Sequence, residues 1–245
     1  MNLKTKIEQI TLKTTDNIEI AANYLKNGFQ EIVIIVAGWC MTKDSKTFLE
    51  ITEAFSQKYD VLTIDCRGHG KSKGLFSFSA KEPLDISAAI EFVNTEHYQK
   101  KHLLGFSLGA ASSLIYCSQN PEIEKLILVS PPTEFSKIEN KMWKKEAWKE
   151  TFKKFELGRF LSIRPCVVPL KKIKPIDVVH NIKTPTLFIA GSKDPTVLSW
   201  HTIKLYEKAT CNKKLHIFEN GIHAEDLFIY FQSEFMNSCF EWLKL

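Results

Sequence analysis

No apolar stretch in the chain approaches the roughly 18 residues that a membrane-spanning helix needs, and the residues after Met1 alternate in polarity instead of opening a signal-peptide core. Stable membrane insertion is therefore not expected, and the expected location is cytoplasmic. Cysteine is sparse and scattered: Cys40, Cys66, Cys117, Cys166, Cys211 and Cys239 form no C-x-x-C pair and no spacing with histidine that would make a zinc site. The thiols read as reduced, with no metal ligand set among them. The chain also lacks internal repeats, low-complexity tracts and Gly/Ser linkers, which excludes solenoids, and nothing in its composition points to disorder. Charge is not concentrated either. The net +5 comes from lysines along the whole length, dense only between Lys141 and Lys154. A dispersed excess of this kind serves solubility and at most a weak contact with anionic surfaces, and it indicates no nucleic-acid partner.

What is present is the material of a globular protein. Of 245 residues, 44% are hydrophobic and 25% charged, enough for a sizeable core in one large domain or two small ones. The order of elements decides for one, covering 1–245. Polarity alternates from Lys6 to Thr14 and from Ile18 to Leu25 around Asp16-Asn17, and Asn27-Gly28 leads into Glu31 to Ala37. Both dipeptides tolerate the positive φ of tight turns, so three antiparallel strands are expected to open the fold. The third is apolar throughout, as a strand buried on both faces is.

Helical spacing follows at Phe48, Ile51 and Phe55, then a buried strand at Val61 to Ile64, then the glycine-rich loop Arg67-Gly68-His69-Gly70-Lys71-Ser72. Ser79 and Glu82 have capping-box spacing ahead of a helix marked by Ile86, Ala89, Ile90 and Val93. Further strands are read at His102 to Leu104, Leu126 to Val129, Thr186 to Ala190 and Leu215 to Phe218, with helices after Ser107, around Ile203 to Tyr206 and from about Asp226. Strands and helices in this alternation build an α/β fold, a doubly wound and mostly parallel sheet. Residues 133–175 break the rhythm. They carry a helix from about Asn140 to Glu156 with Trp148, Phe152 and Phe155 on one stripe among lysines, and read as a small helical lid inserted at the sheet's C-terminal edge. That stripe either covers the edge or lines the substrate cavity.

The chemistry centres on Gly105-Phe106-Ser107-Leu108-Gly109. A serine at the tip of a strand-turn-helix, with glycine two residues to either side, is an exposed hydroxyl at the free amides of a helix N-terminus. G-x-S-x-G alone is common. Here, however, the strand Thr186 to Ala190 leads to Gly191-Ser192-Lys193-Asp194, and Leu215 to Phe218 leads to Asn220-Gly221-Ile222-His223. Serine, aspartate and histidine thus reach one sheet edge, where open α/β sheets place their ligands. A serine hydroxyl needs a base to take its proton, and the base needs a carboxylate to fix its tautomer.

These segments, with Gly38-Trp39 and Asp65-Cys66-Arg67-Gly68-His69-Gly70-Lys71-Ser72, resemble the α/β-hydrolase superfamily, in particular its serine-esterase and serine-aminopeptidase-like branch. The resemblance spans nearly the whole chain. It implies an eight-stranded sheet whose second strand is antiparallel, a nucleophile elbow at Ser107, a catalytic triad of Ser107, Asp194 and His223, and an oxyanion hole from the backbone N–H groups of Trp39 and Leu108. It implies hydrolysis of an ester or related acyl bond in a small-molecule substrate with no cofactor; peptidase, thioesterase or acyltransferase chemistry and a catalytically silent binding protein are the alternatives. One departure stands out: relatives carry His-Gly at the oxyanion turn, and this chain has Ala37-Gly38. The histidine braces the turn, so a different brace is expected here. His69 would steady its loop, not catalyse. His102 lies at the far end of its strand, and His180, His201 and His216 read as surface or packing residues. Cys40 packs beside the site or lines it, and the Trp39 ring is a substrate wall or a core aromatic. Asp226 and Glu219 are the competing acids. The oligomeric state is not legible.

Overall fold

The computed structural model describes residues 7–138, 162–166 and 170–244. Its frame is one eight-stranded sheet. The strands are β1 (Glu8–Lys13), β2 (Glu19–Leu25), β3 (Glu31–Val36), β4 (Asp60–Ile64), β5 (Lys100–Phe106), β6 (Lys125–Val129), β7 (Thr186–Gly191) and β8 (Lys213–Phe218). They lie in the order β1-β2-β4-β3-β5-β6-β7-β8. From β4 to β8 every neighbouring pair is parallel, whereas β2 runs antiparallel to both β1 and β4.

The centre is β3, whose side chains from Ile32 to Val36 are wholly withdrawn from solvent. Successive residues of a strand point to opposite faces, so the run divides. Ile32, Ile34 and Val36 pack in one layer with Ile86 and Ile90 of α2 (Pro83–Thr95) and Leu114 of α3 (Leu108–Cys117). Val33 and Ile35 pack in the other, with Phe48 and Phe55 of α1 (Lys46–Phe55) and Phe235 and Trp242 of the C-terminal helix Gln232–Lys244. Each such side chain contributes about 2 kcal/mol by leaving water, which is why a strand without alternation belongs mid-sheet.

The expectation of three antiparallel opening strands needs correction. The β1–β2 hairpin forms, but β3 is not the neighbour of β2, because β4 lies between them. The cause is visible in Asp60, the first residue of β4. Its Oδ1 accepts the amides of Asn27 at 2.8 Å and Phe29 at 3.1 Å, so the β2–β3 connection is captured by the strand that fills the gap. The Ser79–Glu82 capping box is also absent. Phe78 and Ser79 have φ of 52° and 68°, which no helix start allows, and α2 begins at Pro83. Ser79 Oγ instead pairs with Ser112 Oγ at 2.9 Å, and the Glu82 carboxylate accepts the Ser77 amide and hydroxyl.

Among the described residues the remaining α-helices are α4 (Pro175–Val178), α5 (Ser199–Lys208), α6 (Asp226–Tyr230) and α7 (Gln232–Lys244). Of the segment 133–175, the expected helix and its aromatics Trp148, Phe152 and Phe155 lie outside the described residues. Its described return limb is stitched to the β4 loop: the Arg164 amide donates to Gly68 O at 2.8 Å, and the amides of Phe76 and Cys166 close bonds to Arg164 O and Phe76 O.

Gly109 sets the approach of α3 to β3. A Cβ there would lie 2.3 Å from Val36 O and 2.6 Å from Ala37 O. Gly109→Ala is expected to lower unfolding free energy in urea titrations by about 2–3 kcal/mol, the range of overpacked sites. Gly28→Ala, at φ +87° but with nothing within 4 Å, isolates the backbone term and is expected to cost about 1 kcal/mol.

Candidate active site

Ser107 sits between β5 and α3 with φ 49° and ψ −107°, a conformation that L-residues avoid. Two bonds hold it: its amide donates to Val129 O at 2.8 Å, and its carbonyl accepts the Ala111 amide at 2.9 Å. Close packing on both sides prevents relaxation. A Cβ on Gly105 would meet Gly109 O at 2.6 Å and Ser113 Oγ at 2.7 Å, so strand and helix leave the turn nearly in contact. The result is a half-buried hydroxyl at the mouth of α3, whose first amides have no partner within the helix.

His223 comes from the loop after β8, and its Nε2 stands 3.0 Å from Ser107 Oγ. Its Nδ1 stands 2.7 Å from Asp194 Oδ2. With the ring proton on Nδ1, His223 donates to the carboxylate and accepts from the serine hydroxyl. The Asp194 side chain has no exposure, against 16% for His223. Its other oxygen accepts the amides of Thr196 at 2.8 Å and Val197 at 2.9 Å, which compensates its burial. The acid and histidine loops are themselves joined, Lys193 N to Gly221 O at 2.9 Å and Asn220 N to Ser192 Oγ at 2.8 Å. Of the competing acids, Asp226 sends its amide to His223 O at 3.0 Å, and Glu219 is exposed; the carboxylate on His223 Nδ1 is that of Asp194.

The turn after β3 lies against the serine. A Cβ on Gly38 would be 3.3 Å from Phe106 O and 3.4 Å from Ser107 Cβ, so the turn that carries Trp39 passes directly beside the serine. Trp39 Nε1 is buried without a hydrogen-bond partner among the described residues, and its ring lies 6.4 Å from that of Phe76. Cys40 is half-buried at φ 59°.

Ser130 carries no signal in the sequence that would single it out. It follows β6 at φ 50°, fully buried, and its Oγ accepts the Ala224 amide at 3.1 Å, so it holds the chain immediately after His223. His201, expected at the surface or in packing, is wholly buried. The amide and hydroxyl of Thr133 address its Nδ1 at 3.1 and 2.8 Å and tie the loop after β6 to α5. His102 is buried against Glu31 at 3.1 Å, and His180 is exposed. His216 makes a second serine-histidine-acid grouping with Ser238 and, at 2.9 Å, Glu234. Ser238 lies inside α7, where every amide is spent on the helix, so that grouping has no donors for an oxyanion. His69 is buried with Nδ1 on Arg67 O at 3.2 Å and Nε2 without a partner among the described residues. Burial pushes it down to about 4, so it is neutral at physiological pH. Among the described residues there is no cluster of His, Cys, Asp and Glu able to hold a metal ion.

Sheet order, crossovers and the placement of these loops define an α/β-hydrolase. More narrowly, the chain belongs to the family described as Serine aminopeptidase, S33, whose match covers residues 29–161, and it is a hydrolase of the α/β type. Among solved structures it is similar to the esterase Pf2001 of Pyrococcus furiosus, with a TM-score of 0.81 and 24% identity over 99% of this chain and 93% of that one. A bromoperoxidase from Bacillus anthracis matches with a TM-score of 0.76 and 20% identity over 97% of this chain and 100% of that one. At these identities the likeness is one of fold, and the two names show how different the chemistries on it are. By sequence the chain is 28% identical, over 90% of its length and 74% of the relative's, to the uncharacterized membrane protein YNL320W of Saccharomyces cerevisiae. No helix among the described residues of this chain is long and apolar enough to cross a membrane.

The His69 ring gives a pH test. Its folded value lies below the 6.5 of a free imidazole. Protons therefore bind the unfolded chain first, and the stability held by the neutral ring is complete above about pH 6.5 and lost as pH falls towards 4. Relative to non-titrating His69→Gln, the wild type is expected to lose up to about 3 kcal/mol across that window in denaturant melts, with parallel curves above it.

Proposed function

We propose that the protein is a serine hydrolase that cleaves a carboxylic ester or related acyl bond through an acyl-enzyme. The observation that carries this is the unbroken relay from Ser107 Oγ through His223 to a fully buried Asp194, at 3.0 and 2.7 Å. His223 takes the hydroxyl proton as Ser107 attacks the acyl carbon. The imidazolium so formed is stabilised by Asp194, which keeps the second ring proton at Nδ1. The tetrahedral oxyanion accepts from the Trp39 and Leu108 amides, each donor being worth about 3 kcal/mol in comparable sites. His223 then returns its proton to the leaving alkoxide, and water repeats the sequence on the acyl-serine. Thioester and acyl-transfer chemistry would use the same groups with another leaving group or acceptor.

The family's description brings an aminopeptidase reading with it, and one observation weighs against it. An aminopeptidase needs a free carboxylate for the substrate's ammonium group. Among the described residues, Glu134, the carboxylate that follows β6 towards the inserted segment, is already bound by Lys137 at 2.5 Å and Lys174 at 2.7 Å, which hold it down at about 2. Esters, which carry no such ammonium, are the better fit.

A panel of chromogenic acyl esters of increasing chain length is expected to be hydrolysed by the wild type and not by Ser107→Ala. Mass spectrometry is expected to find an organophosphonate adduct on Ser107. Asp194→Asn is expected to keep the fold and lower kcat by about 10⁴-fold, since the histidine loses its tautomer control. Folded protein with neither turnover nor adduct would refute the proposal.

A further inference from the structure

The turn that presents the Trp39 amide has no side-chain support at Ala37, yet it is held. The Met41 amide donates to Gly38 O at 3.2 Å and closes the turn around Trp39 and Cys40. Two residues on, every polar group of Lys43 is engaged. Its amide donates to Asp65 Oδ1 at 2.6 Å, and its carbonyl accepts from Asn23 Nδ2 at 3.2 Å. Its ammonium donates to Asn23 Oδ1 at 3.0 Å and pairs with Asp44 Oδ1 at 2.8 Å. The lysine side chain is 1% exposed. Asp65 in turn accepts the Lys71 amide at 3.0 Å, and Lys71 Nζ reaches Asp44 at 3.1 Å. Burial pushes Asp65 up to about 6, so at neutral pH it is ionised and accepts both amides.

Burying an ammonium costs several kcal/mol before pairing returns any of it. A position that only filled space would be served by methionine or leucine. What a lysine adds is a link from the segment after β3 to Asn23 on β2, across the intervening β4, while Asp65 fixes the same residue's backbone from the end of β4. Only Met41 and Thr42 stand between this anchor and the closed turn, so displacement of Lys43 is transmitted to the Trp39 amide.

We propose that Lys43 is a positioning residue for the oxyanion turn, bracing it through Asp65, Asn23 and Asp44. The proposal rests on the serine-hydrolase reading. Lys43→Met keeps the volume and the backbone bond to Asp65 and removes the ammonium. For an activated ester, kcat is expected to fall about tenfold to hundredfold with KM within about twofold, as when a catalytic group is misplaced by about an ångström. Affinity for a boronate that becomes tetrahedral on Ser107 is expected to fall by the same factor. A purely structural lysine would lower the melting temperature and leave kcat and boronate affinity of the folded fraction unchanged, which overturns the proposal. Should Lys43→Met not fold, Asp44→Asn, at a side chain 34% exposed, weakens the same anchor. It is expected to lower kcat and boronate affinity together by about threefold or more, and unchanged values overturn the proposal equally. An active wild type with unaffected variants refutes the brace alone. A wild type without turnover or phosphonate adduct refutes the hydrolase reading, and the brace with it.

Discussion

The structure depends on one steric constraint, the near contact of α3 with the ends of β3 and β5 around Ser107. Gly105 and Gly109 leave no space for a side chain between helix and strand, so the turn cannot widen and the serine is left at φ 49°. Such a conformation costs of order 1–3 kcal/mol and persists only where its surroundings over-determine it. Here the surroundings are the centre of the sheet. Val129 of β6 accepts the Ser107 amide, Val36 of β3 lies under Gly109, and apart from Glu31 at the start of β3 both strands are buried. The same contact brings Gly38 against Ser107, so one piece of packing aims the hydroxyl and sets an amide-bearing turn beside it.

The histidine and its acid are positioned by another device. Their loops are long enough to move, but backbone bonds join them to each other and to the core. Lys193 binds Gly221 O, the Ser130 hydroxyl accepts the Ala224 amide, and the amides of Thr196 and Val197 hold the carboxylate face that His223 does not use. A buried carboxylate with both oxygens engaged, by two amides and an imidazole, has little freedom to rotate. The imidazole is thereby confined to one orientation before any substrate arrives, the condition under which polar groups stabilise developing charge without first reorganising.

Much of this was open to a reading of residues alone, for identifiable reasons. The sheet is legible because Ile32 to Val36, Val61 to Ile64 and Leu126 to Val129 are almost wholly apolar on both faces, a pattern that an interior parallel strand needs. Ser107, Asp194 and His223 stand out because each follows a strand within a few residues. Strand neighbours are less legible: β4 separates β2 from β3 because Asp60 captures two amides of the intervening turn, and no local periodicity encodes a bond across about thirty residues. The Ser79–Glu82 spacing misleads for a related reason, since Ser112 of α3 takes the hydroxyl that would have capped α2. Ser130 and Lys43 escape notice altogether. A serine before two prolines and a lysine in a polar loop look like solvent-facing residues until the fold buries them.

Backbone strain has a distribution of its own. Among the described residues, the non-glycine residues with positive φ are Asn17, Cys40, Phe78, Ser79, His97, Ser107, Ser130, Asn220 and Ala224. Asn17 serves the first hairpin and His97 precedes β5; all the others follow the carboxyl ends of β3, β4, β5, β6 and β8. At about 1–3 kcal/mol each, strain on this scale rivals the net stability of an ordinary domain, about 5–15 kcal/mol, and it falls on one edge of the sheet. Two apolar layers of aliphatic and aromatic side chains offset it from the faces, where no comparable strain is found among the described residues. The edge is therefore held by bonds that leave it few alternatives: Ser107 to Val129, Ser130 to Ile189 and Ala224, and Lys43 to Asp65. An edge relieved of that strain would be more stable and would lose the relative placement of hydroxyl, imidazole and amides on which the proposed acyl chemistry at Ser107 depends.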